Sequence, residues 1–133
     1  MTARSTPISV LVADDSDDVR TIVNLTLEEA GYAITSCANG KAAIKLVETH
    51  KFDLVITDML MPEADGTEVV AAVRKRFPAI PIIAMSGGGS YLSADFNLGL
   101  AVRFGVTAVI SKPFTPVELL KVIEAAFAKT GKT

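Results

Sequence analysis

Five short apolar runs alternate with segments of helical periodicity, and this alternation constrains the fold more than any other feature. The runs have the length and β-branched content of strands, and they cover residues 8–13, 32–37, 53–57, 80–85 and 107–110. A regular βα order predicts an α/β domain with a parallel sheet and right-handed crossovers. Only 6% of the 133 residues are aromatic, so aliphatic residues must form the core, as in a sheet buried on both faces.

Helix-capping signals indicate where several helical segments begin. Ser16 precedes two aspartates, which favour the first turn of a helix, and Gly31 provides a stop signal. Capping-box spacing occurs again at residues 65–68 and 115–118. The first helix is expected to bury one face, which consists of Val19, Ile22, Val23, Thr26 and Ala30.

The remaining segments complete a single domain. Residues 40–49 predict the second helix, and residues 90–104, which follow a run of three glycines, predict the fourth. The chain length fits one domain of ordinary size. We expect this domain to cover residues 7–129, between flexible ends at residues 1–6 and 130–133.

Composition excludes several function classes. There are 13 Lys and Arg against 15 Asp and Glu, with no basic stripe, so nucleic acid is not expected as a direct ligand. The single cysteine, Cys37, excludes an internal disulfide and a cysteine-based zinc site. The start of the chain is polar, and no apolar run reaches the length of a membrane span. We therefore expect a soluble, cytoplasmic protein.

Polar side chains follow four of the five predicted strands. Asp14 and Asp15 come after the first strand, Asp58 after the third, Ser86 after the fourth and Lys112 after the fifth. In an open α/β sheet, ligands bind beyond the carboxyl ends of the strands. The sequence therefore predicts that three carboxylates, a hydroxyl and an ammonium meet at one edge of the sheet.

This set of groups suits phosphoryl chemistry. Carboxylates placed together repel one another, and a hard divalent cation such as Mg²⁺ relieves that repulsion. Asp15 and Asp58 are expected to bind the ion directly, with Asp14 holding a metal-bound water. Lys112 and Ser86 would approach a phosphoryl group, and a carboxylate such as Asp58 can itself be the nucleophile.

Four short motifs lie on these strand ends in a fixed order: VLVADDS, ITDMLMPEADG, IIAMSGG and ISKPF. With them, the chain resembles the receiver domain of two-component response regulators over residues 8–128. The resemblance implies a flavodoxin-like doubly wound sheet of five parallel strands in the order 2-1-3-4-5, with five helices. It also implies Asp58 as the phosphoacceptor and Asp14, Asp15, Asp58 and the backbone carbonyl of Leu60 as the protein ligands of Mg²⁺.

The same resemblance assigns the remaining site residues and the partners. Ser86 and Lys112 would contact the phosphoryl oxygens, and the Lys112–Pro113 bond would be cis. Family members accept the phosphoryl group from a sensor histidine kinase or a histidine phosphotransfer protein. They assist their own phosphorylation and dephosphorylation without being classical enzymes. We expect a stand-alone receiver that signals to a separate downstream protein. The sequence leaves open whether the protein forms a homodimer.

Two departures from the family pattern keep other functions open. The position three residues before the lysine, commonly Tyr or Phe, is Val109, and the stretch of residues 86–112 is longer than usual. Both favour a receiver-like binding module that does not switch by phosphorylation. A third hypothesis is a Mg²⁺-dependent phosphohydrolase of the haloacid dehalogenase type. That family has a second aspartate two residues after the nucleophile, where this chain has Leu60.

Overall fold

A five-stranded parallel sheet forms the centre of the protein. The computed structural model describes residues 7–59, 61, 63–87 and 105–130. Its strands are β1 (Ser9–Ala13), β2 (Ala33–Cys37), β3 (Leu54–Asp58), β4 (Ile82–Ser86) and β5 (Ala108–Ser111). Their order is β2-β1-β3-β4-β5, and every neighbouring pair is parallel. The predicted flavodoxin-like sheet is confirmed, and each predicted strand lies within two residues of the observed one.

Four helices lie within the described residues. They are α1 (Asp17–Glu29), α2 (Gly40–Thr49), α3 (Gly66–Arg76) and α4 (Pro116–Thr130). The helix predicted over residues 90–104 lies outside the described residues, as do the segments 1–6 and 131–133. None of the described helices combines the length and the apolar character that a membrane span requires.

The predicted capping residues form the expected hydrogen bonds. The Asp65 carboxylate accepts hydrogen bonds from the backbone N–H groups of Thr67 and Glu68, and Glu68 Oε2 accepts one from Asp65 N at 3.0 Å. Thr115 and Glu118 form the same reciprocal pair at the start of α4, at 3.1 and 2.8 Å. These bonds satisfy N–H groups that the helix itself leaves unpaired. Local sequence therefore determines where α3 and α4 begin.

Two apolar layers cover the sheet. Alternate strand residues point to opposite faces, so Val12 and Ile56 pack towards α1 and α4, whereas Leu11 and Val55 pack towards α2 and α3. The central strands β3 and β4 are buried along their whole length. Among the described residues, the two buried carboxylates lie at strand ends, with Asp58 the last residue of β3 and Asp14 directly after β1.

The buried face of α1 differs from the predicted one. Val23, Thr26 and Leu27 are buried, whereas Ile22 is 46% exposed and Ala30 is also exposed. Apolar residues occur on more than one side of this helix, so periodicity alone did not determine which side faces the sheet. The buried stripe is rotated towards Leu27, and Ile22 lies towards solvent.

Gly66 allows α3 to begin directly against the end of β3. A Cβ atom at this position would lie 2.5 Å from the carbonyl oxygen of Asp58 and 2.6 Å from the Cα of Met59. The Gly66 N–H donates a hydrogen bond to the Met59 carbonyl at 3.1 Å. Any side chain here would push the helix away from the loop that follows Asp58.

We expect Gly66→Ala to destabilise the fold. Overpacking against backbone atoms costs about 1–3 kcal/mol, which outweighs the gain of up to about 1 kcal/mol in helix propensity. Urea unfolding of both variants measures the difference. The matched control is Gly87→Ala, whose Cβ would meet no atom of the described residues within 4 Å and whose effect should stay within about 0.5 kcal/mol. Equal stability of the two variants would contradict the steric argument.

Candidate functional site

The carboxyl edge of the sheet brings the predicted site residues together. Asp58 and Ser86 are the last residues of β3 and β4, while Asp14 and Lys112 directly follow β1 and β5. The register pairs Asp58 with Met85 on β4, and Ser86 with Ser111 on β5. Parallel pairing therefore aligns the four strand ends at one edge.

Three carboxylates form a cluster at this edge. Asp14, Asp15 and Asp58 each offer one oxygen, and these oxygens all lie within 4.8 Å of one another. Asp14 is fully buried, Asp58 is 6% exposed and Asp15 is exposed to solvent. An all-oxygen set with one solvent-accessible member fits Mg²⁺, which keeps several waters. Leu60, whose carbonyl was expected to be a further ligand, lies outside the described residues.

Lys112 bridges two of these carboxylates. Its Nζ lies 2.8 Å from Asp14 Oδ2 and 3.2 Å from Asp58 Oδ2, and its side chain is 18% exposed. Burial alone would lower the pKa of Lys112, but the hydrogen bond to Asp14 and the charge of Asp58 outweigh burial and raise it. The ammonium therefore stays charged at neutral pH and offsets part of the repulsion between the carboxylates.

Asp14 is held from several directions. Its Oδ1 accepts a hydrogen bond from Ser16 N at 2.8 Å, while its Oδ2 accepts the one from Lys112. Its backbone N–H donates to Cys37 O on the neighbouring strand at 3.2 Å. Since both carboxylate oxygens already accept hydrogen bonds, Asp14 fits a contact with a metal-bound water better than direct coordination.

Hydrogen bonds to backbone carbonyls hold Asp58, Ser86 and Lys112 in place. Thr57 Oγ1 donates to the Asp58 carbonyl at 2.9 Å, and Lys112 N donates to the Ser86 carbonyl at 2.8 Å. The Ser86 side chain is buried, and Gly87 beside it adds no bulk at the mouth of the site. The Lys112–Pro113 bond is cis. A carboxylate, a hydroxyl and an ammonium thus lie at the ends of three adjacent strands.

Sequence reasoning missed one residue beside this site. Arg20 lies in α1, and its Nη1 donates a hydrogen bond to the backbone carbonyl of Asp14 at 2.6 Å. Its place six residues after Asp14, early in the first helix, could have drawn attention to it. However, an arginine on a helix is usually a solvated surface residue, so the sequence offered no reason to select it.

Comparison with known proteins identifies the family. The protein-family model for the response regulator receiver domain matches residues 10–124 of this chain. The chain belongs to this family. Among solved structures, the receiver is similar to the chemotaxis response regulator CheY4 of Vibrio cholerae, with a TM-score of 0.82 and 32% identity over 91% of this chain and 99% of that one. The expected family and fold are therefore confirmed.

Curated relatives agree with this assignment. The receiver is 29% identical over 121 residues to the alkaline phosphatase synthesis transcriptional regulatory protein PhoP of Bacillus subtilis, covering 91% of this chain but 49% of PhoP. It is 30% identical to an uncharacterized 14.6 kDa protein of Leptolyngbya boryana, covering 88% of each. The chain spans about half or less of the full length of PhoP and of the NtrC protein of Bradyrhizobium.

Family membership establishes the general chemistry. Receiver domains are signalling modules of two-component systems, are phosphorylated on an aspartate and bind Mg²⁺ in an acidic pocket. They interact with histidine kinases or phosphotransfer proteins and with downstream targets. Val109 occupies the position where the family commonly has Tyr or Phe. Its side chain is half-buried on β5, opposite Ala84 of β4.

We expect Lys112→Met to destabilise the metal-free protein by roughly 2–3 kcal/mol at neutral pH, because it leaves two buried carboxylates without their cation. The folded-state pKa of Lys112 lies above its ordinary value of 10.5, so its contribution is complete below that value. The contribution disappears as the pH rises through the raised pKa.

Urea unfolding of the wild type and Lys112→Met across the alkaline range, with a chelator present, measures this difference. The exposed Lys45→Met is the control, and it should change stability little at any pH. A stability gap that stays constant well above pH 10.5 would contradict the assigned ion pair.

Proposed function

We propose that this receiver accepts a phosphoryl group on Asp58 and signals by a phosphorylation-dependent conformational change to a separate protein. One observation carries the proposal: the Asp58 carboxylate ends β3 beside the Lys112 ammonium, within a cluster of oxygens sized for a single cation. A nucleophile between two positive charges is the arrangement that phosphoryl transfer requires.

The transfer exchanges one bond for another. A carboxylate oxygen of Asp58 attacks phosphorus in line, the P–N bond of a donor phosphohistidine breaks, and the imidazole nitrogen keeps the electron pair. When bound, Mg²⁺ would neutralise charge on the phosphoryl oxygens. We assign Asp15 and Asp58 as its direct ligands, with Asp14 acting through a water and the carbonyl of Leu60 completing the set.

Ser86 and Lys112 are the proposed contacts of the phosphoryl oxygens. The Ser86 hydroxyl donates a hydrogen bond, and the Lys112 ammonium moves from the Asp58 carboxylate to the new phosphoryl group. Because Lys112 N is bonded to the Ser86 carbonyl, this movement displaces the ends of β4 and β5 together. These two strand ends are the proposed source of the conformational change.

The proposed partners follow from this chemistry. The phosphoryl donor is a sensor histidine kinase or a histidine phosphotransfer protein, and the receiver unit covers residues 7–129. Similarity to CheY4, a chemotaxis response regulator, supports a separate protein as the target. The net charge of −2 argues against direct binding to nucleic acid. We propose that the phosphoryl transfer takes place in the cytoplasm.

Intact-protein mass spectrometry after incubation with Mg²⁺ and a small acyl phosphate tests the proposal. We expect one phosphoryl adduct on the wild type, none on Asp58→Asn and none with a chelator, because both the nucleophile and the cation are needed. The control is Asp18→Asn, which removes an exposed acid of α1 and should leave the adduct intact.

The same experiment, together with a turnover assay on small phosphate esters, separates the other candidate functions. Val109 favours a binding module that does not switch, and such a module would bind Mg²⁺, stay folded and form no adduct. A phosphohydrolase would release phosphate from small phosphate esters with turnover. An adduct on Asp58→Asn equal to that on the wild type would overturn the assignment of the acceptor.

A further inference from the structure

Arg20 reaches from α1 back to the loop that carries the acidic pair. Its side chain is only 19% exposed although it belongs to a surface helix. Nη1 donates a hydrogen bond to the Asp14 carbonyl at 2.6 Å, and Nη2 pairs with the carboxylate of Asp17. One guanidinium thus contacts the backbone on one side and an exposed acid on the other.

The contacted carbonyl belongs to the peptide unit that joins Asp14 to Asp15. A peptide unit is planar, so fixing its carbonyl also fixes the direction in which the next residue leaves. The Asp14 N–H and carboxylate are held separately, by Cys37 and by Ser16 and Lys112. The bond from Arg20 therefore acts on the orientation of Asp15.

We propose that Arg20 is a positioning residue for the metal site, holding the peptide unit after Asp14 so that the Asp15 carboxylate stays within reach of a divalent cation. This inference rests on the proposed function, since it concerns the same Mg²⁺ site. Asp15 is the exposed member of the cluster, and fixing the backbone of a residue costs conformational entropy, which the hydrogen bond from Arg20 offsets before a cation binds.

A role through charge alone predicts the opposite result. The guanidinium is positive, so as a point charge near the cluster it repels a divalent cation, and its removal would tighten metal binding. As a positioning group, its removal weakens metal binding because Asp15 is no longer held. The sign of the change in Mg²⁺ affinity therefore distinguishes the two roles.

The shape of the side chain gives a second distinction. A planar guanidinium donates to the Asp14 carbonyl and pairs with Asp17 at the same time, whereas an ammonium is a single point charge on a flexible chain. Arg20→Lys keeps the charge but replaces the planar donor to the Asp14 carbonyl with a flexible ammonium, which does not hold that carbonyl in one direction. If charge were sufficient, Arg20→Lys would behave like the wild type.

The test is Mg²⁺ affinity of the full chain, measured by isothermal titration calorimetry without phosphodonor, together with thermal unfolding in chelator. We expect Arg20→Gln to weaken Mg²⁺ binding roughly 10-fold or more, as is typical for residues that orient metal ligands. Arg20→Lys should also bind more weakly than the wild type. Asp17→Asn, which keeps the bond to the Asp14 carbonyl, should stay within about threefold, since the salt bridge of an exposed acid contributes little.

A matched control removes one positive charge elsewhere. Lys45 lies on the exposed side of α2, and the Lys45→Gln variant should bind Mg²⁺ like the wild type. If Arg20→Gln binds Mg²⁺ as well as or better than the wild type, the inference is wrong while the proposed function stands. If Arg20→Gln does not fold, Arg20→Lys decides, and wild-type affinity in that variant overturns the inference. If the wild type itself neither binds Mg²⁺ nor forms an adduct, the proposed function fails first.

Discussion

Carboxylates are expensive to bury, and the ammonium of Lys112 between Asp14 and Asp58 makes the acidic edge of this sheet compatible with folding. Lys112 can reach both groups because β5 lies next to β4 and because its own N–H is bonded to the Ser86 carbonyl. The charge arrangement therefore depends on strand order. A sheet with β5 in another position would leave two buried negative charges without this cation.

Cations serve different purposes at the two edges of the sheet. At the carboxyl edge, Lys112 pairs with the carboxylates of Asp14 and Asp58. At the opposite edge, Arg74 donates to the carbonyls of Ile80 and Gly105, which joins the end of α3 to the chain entering β4 and β5. Arg76 donates hydrogen bonds to the carbonyls of Val47 and His50 at the end of α2. The partners of these two arginines are neutral carbonyls, so their hydrogen bonds join neighbouring elements of the fold.

Sequence reasoning recovered the sheet and the clustering of the candidate site residues because both follow from local patterns combined with one geometric rule. Short β-branched runs locate the strands, and parallel pairing then brings Asp14, Asp58 and Lys112 to one edge. The exposed Ile22 was assigned to the buried face because α1 carries apolar residues on several sides. The contacts of Gly66 with the end of β3 and of Arg20 with the Asp14 carbonyl depend on how closely neighbouring elements pack, which no single-sequence pattern encodes.

Charge balance explains how the proposed site would change state. Three carboxylates and one ammonium leave two negative charges, which a single Mg²⁺ would balance. Phosphorylation of Asp58 adds negative charge to this balanced set, and Lys112 is the cation already next to the acceptor. Attraction of Lys112 to the phosphoryl group would pull on the hydrogen bond that Lys112 N donates to the Ser86 carbonyl. With Val109 in place of an aromatic ring, we propose the joined ends of β4 and β5 as the route by which a partner would read the phosphorylated state.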